Sequence, residues 1–204
     1  MANLEYVNTN GAEYFLIKNI LPVNEYDKVK FEIDFFKQMF LPPQETGTAY
    51  NLQTNEPLKQ NRAVFLTNVL QGDDRAASVV MSSTVKVVEN FMEYVRENLN
   101  ESHSSFGNLG HDLNYTTLLS GYKDGDYYKP HRDTCVATLI WWFMEPEKKY
   151  EGGEFVLPDL GITISPESYT GVIIPSWYRH EVPPVRCETD DFVRYTVSCF
   201  LVYN

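Results

Sequence analysis

The stretch GVIIPSWYRHEVPPVRCETDDFVRYTVSCFLVYN, residues 171–204, alternates short apolar, β-branched runs with turns rich in proline and acidic residues. GVIIP and VRYTVSCFLVYN have the composition of β-strands, and EVPP has that of a turn. Similar runs occur upstream: LNYTTLLSGY (113–122), ATLIWWFM (137–144), GEFVL (153–157) and GITIS (161–165). Many short strands at this spacing are typical of a sandwich or barrel. We therefore predict an α+β, mainly β protein built on a double-sheet jelly roll.

The first half of the chain has helical periodicity instead. Apolar residues recur every three or four positions between Val29 and Phe40, with Asn24 as the predicted N-cap, and again between Met81 and Leu99. The polar segment 47–66 between them fits a surface loop or a lid. We predict one domain, 1–204, in which a helical support region (1–112) packs on the outside of a jelly-roll core (113–204).

Bulk properties limit the partners. A formal net charge of −11 disfavours nucleic acid, because a phosphate backbone would be repelled. No apolar run approaches the roughly 18 residues that a membrane helix needs, and the N-terminus lacks the features of a signal peptide. Three widely spaced cysteines without a CxxC motif fit a reducing compartment. The sequence predicts a cytoplasmic protein that binds neither nucleic acid nor membrane.

The segment YYKPHRDTC, residues 127–135, places an imidazole and a carboxylate two positions apart. In a strand, His131 and Asp133 would leave the same face. His180, in a later strand flanked by aromatic residues, is well placed to join them, whereas His103 and His111 form no such group. Two imidazoles and one carboxylate form the facial triad of non-haem Fe(II) oxygenases. A zinc hydrolase uses the same ligand types but commonly an HExxH helix, which this sequence lacks.

Arg194 adds a cation to the apolar strand FVRYTVSCF (192–200). A buried guanidinium without a partner costs several kcal/mol, and no acidic residue follows Asp191 in this strand. A dianionic co-substrate would provide the missing partner, since the planar guanidinium matches a carboxylate in bidentate geometry. Thr196, two residues further on, would face the same way and add a hydroxyl.

In these motifs the chain resembles the 2-oxoglutarate- and Fe(II)-dependent oxygenases, most closely their prolyl 4-hydroxylase-like branch. The resemblance covers Leu113 to Asn204 and rests on three motifs and on Arg194: GYKDGDYYKPHRD (121–133), EGGEFVLP (151–158) and GVIIPSWYRHEVPPV (171–185). It implies a double-stranded β-helix of the cupin-like kind, preceded by a strand and helices. The implied co-substrates are 2-oxoglutarate and O2, with Fe(II) as the metal and ascorbate as a further candidate cofactor.

The resemblance also implies a role for each matching residue. His131, Asp133 and His180 would be the iron ligands. Arg194 would bind the distal carboxylate of 2-oxoglutarate, and Tyr122 would donate its hydroxyl to the same molecule. Where relatives often carry a tyrosine, this chain has Trp142, whose indole N–H donates but cannot accept. Related halogenases lack the carboxylate, so the presence of Asp133 favours hydroxylation.

The implied activity is hydroxylation of an unactivated C–H bond, coupled to oxidative decarboxylation of 2-oxoglutarate. The expected substrate is a prolyl or other residue in a peptide or protein. Three alternatives stay open: the same chemistry on a free amino acid or other small metabolite, oxidation of a nucleobase, and a cupin-like protein that binds or senses metal without turnover. The net charge weighs against the nucleobase, and a buried Arg194 weighs against simple metal storage.

Overall fold

The computed structural model describes residues 3–9, 11–71, 82–98, 106, 113–144, 148–167 and 169–203. Within these ranges the helices are α1 (Tyr26–Phe36), α2 (Leu66–Gln71) and α3 (Ser83–Asn98). The strands are β1 (Asn3–Thr9), β2 (Ala12–Lys18), β3 (Arg62–Phe65), β4 (Leu113–Tyr122), β5 (Tyr128–His131), β6 (Ala137–Phe143), β7 (Glu151–Gly152), β8 (Phe155–Leu157), β9 (Ile162–Ile164), β10 (Gly171–Pro175), β11 (His180–Val182), β12 (Val185–Arg186) and β13 (Arg194–Tyr203).

Two antiparallel sheets form the body of the protein. The larger sheet has the strand order β1-β2-β10-β6-β13-β4-β3, and the smaller has β5-β11-β8-β9. Their inner faces share one apolar cluster, in which Phe155 and Leu157 of the small sheet meet Ile140 of β6 and Ile174 of β10. This arrangement confirms the predicted mainly β jelly roll.

Strand β13 lies inside the large sheet between β4 and β6, and its two faces do different things. Tyr195, Val197 and Cys199 join the main apolar core. Arg194 and Thr196 point the other way and line a cavity between the sheets. Successive side chains of a strand leave opposite faces, so one strand supports the core and the cavity at once.

The helices pack on the outer face of the large sheet. Val29 and Ile33 of α1 and Val88 and Met92 of α3 are fully or almost fully buried in the same cluster as Val197 of β13. The two residues of each pair lie four positions apart, as one face of a helix requires. The prediction that N-terminal helices cover the outside of the jelly roll is confirmed.

The N-terminal half contributes more strand than the sequence predicted. Strands β1 and β2 form a hairpin whose second strand pairs with β10, and β3 pairs with β4 at the opposite end of the large sheet. The term "helical support region" for residues 1–112 is therefore incomplete, because both edges of the large sheet come from it. The domain division itself stays a prediction.

Two local predictions need correction. Asn24 does not cap α1, since it lies in a short 3-10 helix before it, and the capping position belongs to Glu25, without a side-chain cap bond. Segment 47–66 is not loop throughout, because β3 begins at Arg62 and α2 at Leu66. In the part of the chain that the structure describes, no helix is long and apolar enough to cross a membrane.

Candidate active site

Strands β5 and β11 bring two of the predicted site residues together. His131, the last residue of β5, lies directly opposite His180, the first residue of β11. The centres of the two imidazole rings are 4.2 Å apart, and both side chains are almost completely buried. The pairing register of the small sheet thus joins two histidines that are far apart in sequence.

Asp133 completes this group from a different position than the sequence predicted. Strand β5 ends at His131, so Asp133 lies in the loop that follows rather than within the strand. Its carboxylate is nevertheless 3.8 Å from Nε2 of His131 and 3.5 Å from Nε2 of His180. One ligand atom from each of the three residues lies within 4.8 Å of the other two. That spacing allows all three to bind one metal ion.

Backbone carbonyls orient both imidazoles. Nδ1 of His131 lies 2.9 Å from the carbonyl oxygen of Lys129, and Nδ1 of His180 lies 3.1 Å from that of Tyr178. Each Nδ1 therefore carries the proton and donates it, which leaves the Nε2 lone pair free toward Asp133. Burial, and then the neighbouring His180, lower the pKa of His131 to about 3, so this ring is neutral. These donors fit an Fe(II) ion.

The carboxylate of Asp133 is held by a residue that the sequence analysis missed. The hydroxyl of Thr138, on β6, donates a hydrogen bond of 2.5 Å to Oδ2 of Asp133. On the other side of the group, the ring of Tyr128 stacks on His131 with a centroid distance of 3.5 Å. The hydrogen bond fixes the carboxylate, and the stacked ring fixes the imidazole.

The three residues open into a cavity of about 400 Å³ between the two sheets. Alternate residues of β4 and β13 form much of its wall, among them Ser120, Tyr122, Arg194 and Thr196. Phe155 of the small sheet contributes an apolar surface. A cavity of this volume is within the range of small-molecule sites.

Arg194 is completely buried in this wall. Its Nε donates a hydrogen bond of 2.9 Å to the carbonyl of Gly153, whereas Nη1 has no hydrogen-bond partner among the described residues. The guanidinium carbon lies 4.5 Å from the ring centre of Tyr122. A buried cation with an unused N–H donor in a cavity wall is suited to bind a carboxylate.

The other predicted co-substrate residues differ in position. Tyr122 and Thr196 are buried and line the cavity beside Arg194. Burial raises the pKa of Tyr122 to about 12, so its hydroxyl keeps its proton. Trp142 is buried but is not part of the cavity wall, and its ring packs 6.4 Å from that of Phe155. His103 and His111 lie outside the described residues.

Two further polar residues of the wall come from the segment before β3. Residues 58–60 run beside β5. The backbone N–H of Gln60 donates to the carbonyl of Tyr127 at 3.0 Å, and the backbone N–H of Lys129 donates to the carbonyl of Leu58 at 2.8 Å. This contact places Lys59 and Asn61, both almost completely buried, in the cavity wall. Neither stood out in a polar segment without periodicity.

Comparison with known proteins agrees with this geometry. Residues 117–202 match the family model of the 2OG-Fe(II) oxygenase superfamily. This range contains the three residues of the candidate metal site, and Arg194. No curated protein sequence matches the chain.

Several solved structures share the fold at low sequence identity. The viral collagen prolyl hydroxylase of Paramecium bursaria Chlorella virus-1, in its 2OG complex, is 18% identical, with a TM-score of 0.55 over 92% of this chain and 94% of that one. A prolyl-4-hydroxylase of Pseudomonas putida is 13% identical, with a TM-score of 0.63 over 94% and 92%. NgTET1 in complex with 5mC DNA is 14% identical, with a TM-score of 0.54 over 98% and 76%.

Proposed function

We propose, from the match of residues 117–202 to the family model of the 2OG-Fe(II) oxygenase superfamily, that the protein is a hydroxylase that acts on an unactivated C–H bond. His131, Asp133 and His180 are the proposed iron ligands. The observation that carries the proposal is the convergence of their ligand atoms, within 4.8 Å of one another, on the cavity that also contains Arg194. Three protein ligands leave coordination positions open for a co-substrate and O2.

Arg194 is the proposed partner of the distal carboxylate of 2-oxoglutarate. Its unpartnered Nη1 can donate to that carboxylate while Nε stays bound to Gly153. Tyr122 and Thr196, beside it in the wall, can donate their hydroxyl protons to the same molecule. Trp142 keeps only an indirect role in this proposal, through its packing against Phe155 of the cavity wall.

Bound iron(II), with 2-oxoglutarate and O2, supplies the oxidising power that inserts one oxygen atom into the substrate while 2-oxoglutarate becomes succinate and CO2. The residues of this chain position the reactants. Thr138 fixes the carboxylate of Asp133, and the carbonyls of Lys129 and Tyr178 fix the tautomers of the two histidines. The apolar side chains of Ile140 and Phe155 keep water away from the reacting C–H bond.

The proposed substrate is a prolyl residue in a peptide or protein. Two of the structures that share this fold are prolyl hydroxylases, which supports the proposal without deciding the substrate. A second candidate is a free amino acid or other small acid, and the buried Lys59 in the cavity wall favours it. A nucleobase is disfavoured by the net charge of −11, although NgTET1 shares the fold.

The direct test measures succinate formation by the iron-loaded protein with 2-oxoglutarate. Proline-containing peptides and free amino acids are offered in parallel, and mass spectrometry detects the product that has gained one oxygen atom. Iron- and 2-oxoglutarate-dependent turnover supports an oxygenase, and metal binding without 2-oxoglutarate consumption supports a cupin-like binding protein instead. Adding and omitting ascorbate tests whether it is required. Cytoplasmic location stays a prediction.

A further inference from the structure

The cavity contains a second buried cation that the proposed mechanism does not use. Lys59 is 4% exposed, and its ammonium group donates a long hydrogen bond of 3.3 Å to the carbonyl oxygen of Thr46, the one bond it makes to a described residue. Among the residues that the structure describes, no carboxylate oxygen lies within 4.0 Å of its ammonium nitrogen, so Lys59 has no ion pair there. A buried ammonium so weakly bonded is costly for the protein alone.

Asn61 gives an independent sign that this part of the wall faces a ligand. It lies two residues after Lys59, is 1% exposed and lines the same cavity. Its Oδ1 atom is buried and has no hydrogen-bond partner in the described structure. Buried side-chain polar atoms of proteins are nearly always bonded. A cation and an amide group, both with unused bonding capacity, therefore sit side by side in the wall.

Lys59 lies at the metal end of the cavity. Its Nζ lies 5.6 Å from the ring centre of Tyr128, and the same ring stacks on His131 with a centroid distance of 3.5 Å. Burial lowers the pKa of Lys59 to about 8, while Asp133 opposes the shift, so at neutral pH the ammonium is mostly charged. A group bound by Lys59 would thus lie on the side of the cavity that contains the candidate metal ligands.

The charges of the loaded site leave this cation unbalanced. The two positive charges of iron(II) and the one of Arg194 are matched by the carboxylate of Asp133 and the dianionic 2-oxoglutarate. Lys59 then remains as an excess positive charge in a site of low dielectric, where uncompensated charge is unfavourable. The molecule that still has to enter the cavity is the substrate, and an anionic substrate would restore the balance.

We propose that Lys59 binds a carboxylate of the substrate next to the C–H bond that is hydroxylated, and that Asn61 accepts a hydrogen bond from a neighbouring N–H of the same molecule. The inference deepens the proposed function and rests on it. The recognised chemistry is a carboxylate close to an amine or amide. Two sources provide it: a free amino or imino acid, and a peptide with an acidic residue beside the target residue.

The test compares matched pairs of compounds that differ in this one charge. Free amino and imino acids, proline included, are compared with their carboxamides, and prolyl peptides with a neighbouring Glu are compared with the Gln versions. Stimulation of 2-oxoglutarate turnover is measured for each, with wild-type protein and with Lys59→Met, Lys59→Arg and Lys28→Met. Lys28 is the control because it is exposed on α1, paired with Glu25 at 3.1 Å.

We expect the acid member of a pair to stimulate turnover. Its neutral partner should stimulate turnover at least about 10-fold less. Lys59→Met should raise the apparent KM for the acid about 10- to 100-fold and leave that for its neutral partner unchanged, since one charge-assisted bond is lost. Lys59→Arg should recover part of the loss. Lys28→Met should behave as wild type. Which pair responds tells the free acid from the acidic peptide.

Three results would overturn the inference: equal stimulation by both members of a pair, no stimulation by any acid, or a rise in the KM for 2-oxoglutarate in Lys59→Met. The last result would assign Lys59 to the co-substrate. Iron affinity and melting temperature, measured on each variant, show that the site is intact. Basal iron-dependent turnover of 2-oxoglutarate without added substrate tests the proposed function separately, so its presence or absence tells which of the two proposals has failed.

Discussion

Arg194 and Tyr122 lie directly opposite each other on the neighbouring strands β13 and β4, and the guanidinium carbon of the arginine is 4.5 Å from the ring centre of the tyrosine. The ring supports the charged group from one side, and the carbonyl of Gly153 holds its Nε at 2.9 Å. Both contacts come from the protein itself, so the fold sets the orientation of the guanidinium in the cavity wall.

Replacement of Arg194 by alanine should weaken 2-oxoglutarate binding about 10- to 200-fold, because a charge-assisted pair contributes roughly 1.5–3 kcal/mol. Calorimetric titration of the metal-loaded variant with 2-oxoglutarate measures this, and iron affinity should stay unchanged. Arg194→Lys should recover only part of the loss, since a point charge does not reproduce the planar fork. Arg186→Ala, at an exposed arginine of β12, is the matched control. Unchanged 2-oxoglutarate affinity with a large fall in melting temperature would instead give Arg194 a purely structural role.

A methyl group at Gly153 should disturb the same arginine. Gly153 has a positive φ of 67°, and a Cβ atom there would lie 3.0 Å from Cδ of Arg194 and 2.9 Å from Val185. Gly153→Ala should therefore lower 2-oxoglutarate affinity several-fold and reduce the melting temperature, because alanine is strained at this φ. Gly125→Ala, which has a positive φ of 79° but open space around it, separates the two effects. It should lose stability without losing 2-oxoglutarate affinity.

Thr138 should determine how firmly Asp133 holds a metal. Thr138→Val keeps the side-chain shape but removes the hydroxyl that donates a hydrogen bond of 2.5 Å to the carboxylate. Partners of this kind typically change metal affinity 10- to 100-fold, so iron binding should weaken by about that factor. Thr117→Val, at a buried threonine outside the cavity wall, is the control. If both variants bind iron like the wild type, the hydrogen bond has no part in metal binding.

The buried charge of Lys59 predicts a pH dependence of stability in the metal-free protein. Burial lowers its pKa from 10.5 to about 8, so between these values the unfolded chain holds a proton that the folded chain has released. The free energy of unfolding should then rise with pH over this window, by at most about 3 kcal/mol at 1.4 kcal/mol per pKa unit. Lys59→Met should lack this increment in parallel denaturant titrations at pH 7 and pH 10. An identical rise in both proteins would mean that Lys59 does not titrate in this range.

Strand positions and candidate metal ligands could be predicted from the sequence where a local pattern of residues determines them. The strands β4, β10 and β13 agree with the predicted ranges to within a residue, because each is an apolar run bounded by turn residues. His131, Asp133 and His180 could be grouped because few residue types bind iron and only four histidines were available.

Features that depend on long-range contacts could not be predicted. Lys59 reaches the cavity because residues 58–60 run beside β5, and nothing in their composition indicates that contact. Thr138 has no distinguishing feature within the run ATLIWWFM, and only the fold places its hydroxyl 2.5 Å from the carboxylate of Asp133. Trp142 is buried in the apolar cluster between the sheets and does not line the cavity, which its position in the strand does not reveal.

The most direct test of the central claim is 2-oxoglutarate turnover by Asp133→Ala. This carboxylate lies within 4 Å of both imidazole Nε2 atoms. Its loss removes one of the three proposed iron ligands but takes little side-chain volume out of the core. We expect succinate formation to fall about 100-fold or more while the melting temperature of the metal-free protein changes little. Asp34→Ala, whose carboxylate pairs with Lys37 at 2.8 Å on the outer helix α1, should keep full turnover. Wild-type turnover by Asp133→Ala would contradict the assignment of this site as the iron centre of a hydroxylase.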